Sequence, residues 1–90
     1  MENYEVDLEL EVVAINKVND GWQIVIENDD DIKERTILVF YFDNETEILG
    51  VVNEVDQNDE HKILYVVIDP DQVKNFNIMK TKAIVVYGSL

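Results

Sequence analysis

Tyr4, Val6, Leu8, Leu10 and Val12 alternate with Glu5, Asp7, Glu9 and Glu11, the period-two pattern of a strand whose successive side chains point to opposite faces. At a rise of about 3.3 Å per residue, the four carboxylates stand in a row roughly 6.6 Å apart. Such a row repels itself. It serves either to attract something basic or to keep a solvated strand face soluble. The apolar phase changes at Val13 and Ile15, which predicts a bulge or sharp bend near Val12-Val13 in a run extending to about residue 18.

The same alternation marks the rest of the chain. Asn19-Asp20-Gly21 reads as a hairpin turn, because these residues tolerate positive φ. The strand that follows, Trp22 to Glu27, turns Trp22, Ile24 and Ile26 inward. A third strand from Arg35 to Phe42 is apolar on both faces, with Leu38, Phe40 and Phe42 on one and Ile37, Val39 and Tyr41 on the other. It is central, or a partner covers its second face. Ile48 to Asp56 forms a fourth strand with Gly50 as a bulge or close-approach site, and Lys62 to Ile68 a buried fifth. Asp69-Pro70-Asp71-Gln72 carries an N-cap residue followed by proline, predicting one short helical turn up to about Phe76. Thr81 to Tyr87 is the last strand.

The expected fold class is therefore all-β. It is a small, strongly bent, five- to six-stranded antiparallel barrel, SH3-like first and OB-like second, with one short helical turn before the last strand. Closure removes edges that would otherwise pair with other chains. The length of 90 residues suits a single domain, 1–90, with one modest core. Aromatic residues Trp22, Phe40, Phe42, Tyr65 and Tyr87 fall at core spacing, whereas Tyr4 and Tyr41 are candidates for exposure.

Charge narrows the functional classes. Twenty acids against seven bases give a net charge of −13, which opposes direct binding to a phosphate backbone or an anionic membrane. Residues 1–60 hold 18 acids and 3 bases, whereas residues 61–90 hold 2 acids and 4 bases. The chain has no cysteine, so it offers no disulfide framework and no thiolate metal site. No basic and apolar leader precedes the first strand, and no apolar stretch approaches bilayer length, so a cytoplasmic location is expected.

Catalytic chemistry has few carriers. The one serine is Ser89 and the one histidine His61, in a polar turn, so a nucleophile beside a base is not on offer. Asp29-Asp30-Asp31 lacks the alternating spacing and central glycine of a calcium loop. No catalytic residue, metal site or cofactor is expected.

Two non-enzymatic readings remain. In the first, carboxylate rows stand in for phosphates and occupy the basic, nucleic-acid-binding surface of a partner protein, in the manner of an inhibitor; a viral inhibitor of host defence would have this character. Its candidate binding residues are Glu5, Asp7, Glu9, Glu11, Asp29, Asp30, Asp31, Glu45, Glu47, Glu54 and Asp56. In the alternative, the chain is an assembly module that forms a homodimer or joins a larger complex through a strand edge or the Ile37-Val39-Tyr41 face. Salt dependence separates them, since charge-driven association weakens with screening.

Overall fold

The computed structural model describes residues 8–19, 21–27, 32–42, 46–74 and 77–89. The chain is all-β and antiparallel. Its strands are β1 (Leu8–Glu9), β2 (Val12–Val18), β3 (Gly21–Glu27), β4 (Thr36–Tyr41), β5 (Glu47–Gln57), β6 (His61–Ile68) and β7 (Ala83–Ser89). They form one sheet in the order β1-β7-β4-β5-β6-β3-β2. That order is linear, and in place of a closed barrel the pairing gives an open sheet with β1 and β2 at its two ends.

Those two ends belong to one stretch of chain. Only Leu10 and Glu11 separate β1 from β2. The Leu10 N–H donates to the Ile84 carbonyl at 2.8 Å, and the Glu27 N–H to the Glu11 carbonyl at 3.3 Å, so the chain leaves β7 and joins β3 within two residues. The bulge foreseen near Val12-Val13 is present, because the β2–β3 register shifts between Val12 and Ala14. It leaves Val13 about half exposed, at 50%.

One face of the sheet holds the core. Ile24, Ile26, Leu38, Phe40, Ile48, Val52, Leu64, Val66 and Ile84 are at most 2% exposed, and Ile15, Trp22, Phe42, Val55 and Val86 pack against them part-buried. Register puts these residues together: Ile24 faces Leu64, Leu64 faces Val55, and Phe40 faces both Ile48 and Ile84. Lys62 also lies on this side, opposite Ile26 and Gln57, and is 8% exposed.

Glycines mark two close approaches. A Cβ on Gly50 would lie 2.7 Å from Val66 Cγ1, 3.0 Å from Ile68 Cγ1 and 3.1 Å from Phe40 Cε1. The residue is there for space, and the β5 bulge falls later, at Asn53. Gly21 differs from the expectation of a positive-φ turn residue, because no described glycine has positive φ. A Cβ there would stand 2.4 Å from the Val66 carbonyl oxygen, so the β2–β3 turn needs glycine to sit against β6. Among the described residues the left-handed position is Arg35, at φ 75°, where its N–H donates to the Val52 carbonyl at 2.7 Å.

Before β7 the chain makes a four-residue helix, Pro70–Val73, capped by Asp69 through the Asp71 N–H, and then a 3-10 turn, Ile78–Lys80, capped by Asn77. The helix is shorter than foreseen and stops at Val73. Tyr87, expected in the core, is 71% exposed. The β4–β7 register shifts between Ile37 and Leu38, so Gly88 faces Ile37, Val86 faces Leu38 and Tyr87 is the extra residue. Alternation with inward Ile84 and Val86 puts Tyr87 on the outer side with Val85, and the bulge leaves it opposite no residue of β4.

Candidate functional surface

The acids expected to bind divide into two groups. Glu9, Glu11, Glu47, Glu54 and Asp56 are described, and all five are exposed. Glu5, Asp7, Asp29, Asp30, Asp31 and Glu45 lie outside the described residues. The ladder is thus seen at its last two members, Glu9 and Glu11, flanking Leu10, which is 4% exposed.

Cross-strand register places four of these acids on the face away from the core. Residues directly opposite each other in an antiparallel pair share a face. Glu9 faces Val85, Val85 faces Val39, and Val39 faces Leu49. Glu47 faces Tyr41, which is two residues from Val39. The β5 bulge restores the alternation out of phase, so that Glu54 faces Tyr65 and Asp56 faces Ile63. Without the extra residue at Asn53, Glu54 would point to the core.

β5 consequently presents Glu47, Leu49, Val51, Glu54 and Asp56 on its outer side, two apolar residues between acids. Val51 faces Ile37 on one neighbour and Val67 on the other. Leu49 and Val67 are each 48% exposed, and Tyr41 is 36% exposed. Val39 is only 3% exposed and Ile37 is half-buried, so of the Ile37-Val39-Tyr41 row Tyr41 is the accessible member. The accessible aliphatic surface sits one and two strands away, at Leu49 and Val67. The six consecutive apolar residues of β6 read as a buried strand, which hides Val67. The signal for this surface is β5 itself, where the apolar pair at alternate positions is bracketed by acids.

A polar row crosses the same face. The Asn16 side-chain amide donates to Gln23 Oε1 at 3.0 Å, and Gln23 Nε2 donates to the Tyr65 hydroxyl at 3.4 Å. Beside Tyr65, a notch of about 300 Å³ opens between the β2–β3 turn and the β5 bulge, lined by Asn19, Gly21, Trp22, Asn53, Glu54 and Tyr65 over Val66 and Val67. At its edge Lys17 Nζ lies 5.5 Å from the Trp22 ring centroid and donates to the Val18 carbonyl at 2.7 Å.

Groups that would do chemistry are sparse. His61 is half-buried at the start of β6, opposite Glu27, with its N–H donating to Asn58 Oδ1 at 2.8 Å. Among the described residues there is no group of three or more His, Cys, Asp or Glu positioned to hold a metal ion, and no helix long and apolar enough to cross a membrane. No known protein family, no characterised protein and no solved structure matches the chain.

Proposed function

We propose that the protein is a non-enzymatic binding module that docks its acidic outer face onto a basic, nucleic-acid-binding surface of a partner protein, in the manner of an inhibitor. The observation that carries this reading is the outer side of β5, where Leu49 and Val51 lie between Glu47 and the pair Glu54 and Asp56. An apolar centre with a charged rim has the composition of a protein-docking surface. The charge decides the kind of partner: at −13 per chain, a second copy is repelled and a basic protein is attracted over a longer range than contact forces reach.

In this reading the sheet, whose strand order is linear, curls into a small, strongly bent barrel of the SH3-like kind. Support for closure comes from the β1–β2 stretch, which hydrogen-bonds β7 through Leu10 and β3 through Glu11. Bridged in this way, the sheet would leave side chains, and not free strand edges, to make the contacts.

The test is capture from a cell lysate at about 50 mM and then about 500 mM salt, across which screening length falls several-fold. The expected result is a basic, nucleic-acid-handling protein retained at low salt and lost at high salt. Retention of a neutral partner at both concentrations would refute the reading.

A further inference from the structure

We propose that the notch between the β2–β3 turn and the β5 bulge is a seat for a guanidinium group, an arginine side chain of the basic partner. This rests on the acidic-docking reading and adds the contact that would fix the partner's register.

The notch exists because of two local departures from regular strand. Asn53 is the extra residue of the bulge and separates Val52, opposite Val66, from Glu54, opposite Tyr65. Gly21 has no side chain, and one placed there would meet the Val66 carbonyl. Between them is an open recess of about 300 Å³, large enough for the flat end of one side chain and too small for a folded segment.

Its lining selects the occupant. Among the described lining residues Glu54 is the one carboxylate and none is a cation. Directly across the strand pair stands Tyr65, whose hydroxyl is tied through Gln23 to Asn16. An aromatic plane held beside a carboxylate suits a guanidinium, which stacks its face on the ring while its N–H fork meets the carboxylate oxygens. The Asn19 and Asn53 amides offer further acceptors. An ammonium brings a point charge but no plane, so lysine fits less well. Trp22 also lines the notch, but it packs against the core, and Lys17 stands 5.5 Å from its ring centroid. Beyond the notch, exposed Val67 and Leu49 continue the surface, so the partner's arginine should adjoin apolar residues.

Titration of the uniformly 15N-labelled protein with N-acetyl-arginine amide, and separately with N-acetyl-lysine amide, tests the seat. The expected shifts concentrate on the amides of Gly21, Asn53, Glu54 and Tyr65, with arginine binding at least about threefold more tightly than lysine. Glu54→Gln, checked for an unchanged spectrum elsewhere, should weaken the arginine effect by about fivefold or more, whereas Asp56→Gln should not. Shifts spread evenly over Glu9, Glu11, Glu47 and Asp56, arginine no better than lysine, no shifts, or no effect of Glu54→Gln would overturn the seat. These outcomes leave acidic docking standing if lysate capture is still salt-sensitive. Salt-insensitive capture refutes docking, whatever the titration shows.

Discussion

Gly50→Ala measures how tightly β5 is packed against its neighbours. Gly50 faces Leu38 on β4 and Ile68 on β6, and its added Cβ would lie 2.7, 3.0 and 3.1 Å from carbons of Val66, Ile68 and Phe40. Carbon atoms are most comfortable at about 3.5–4.0 Å, so all three contacts fall short by roughly half an ångström to one ångström. The neighbours have little room to yield: Val66 is 1% and Phe40 0% exposed, and β-branched Val66 and Ile68 are stiff at χ1. Overpacking of this kind costs about 1–3 kcal/mol. Against it stand the reduced freedom of the unfolded chain, about 0.4–1 kcal/mol, and no backbone strain, since Gly50 has no positive φ. The net expectation is a loss of about 1–2 kcal/mol. Urea unfolding followed by Trp22 fluorescence and far-UV circular dichroism should show a lower midpoint with an unchanged slope. Val66→Ala in the Gly50→Ala background should recover part of the loss, giving a coupling of about 0.5–3 kcal/mol. Equal or greater stability of Gly50→Ala, or strict additivity with Val66→Ala, would refute the close packing of this strand.

Replacing Glu5, Asp7, Glu9 and Glu11 together by glutamine should leave the fold intact or slightly more stable, while weakening low-salt binding of the captured partner by about tenfold or more, read by calorimetry. Leu49→Ala and Val67→Ala should change unfolding free energy by no more than about 0.5 kcal/mol each, because both side chains are half exposed, yet the pair should measurably speed dissociation from the partner. Arg35→Gly should stabilise the protein by about 0.5–1 kcal/mol in urea unfolding, since a left-handed φ of 75° is strained for arginine and open to glycine.

Local alternation made much of the strand inventory legible. The phase change at Val12-Val13 located a bulge before any pairing was known, because an extra residue inverts the parity of all that follows. What stayed hidden depends on partners far along the chain. Asn53 gives no local sign of being a bulge, yet it alone turns Glu54 outward. Gly21 reads locally as a turn residue, whereas the need for glycine comes from a carbonyl on β6, 45 residues later. The acids could be counted and their exposure foreseen for Glu9 and Glu11, where they flank buried Leu10. That Leu49 and Val67 join the acids on one surface follows only from register, and so did the notch beside Tyr65.

The central claim is that the acidic face takes the place of nucleic acid on its partner. Competition tests it most directly: the partner captured at low salt is immobilised on this protein and challenged with increasing duplex or single-stranded nucleic acid at constant ionic strength. The account predicts that nucleic acid releases the partner, with the midpoint shifting in proportion to the amount of this protein present. A stable ternary complex of protein, partner and nucleic acid would contradict it.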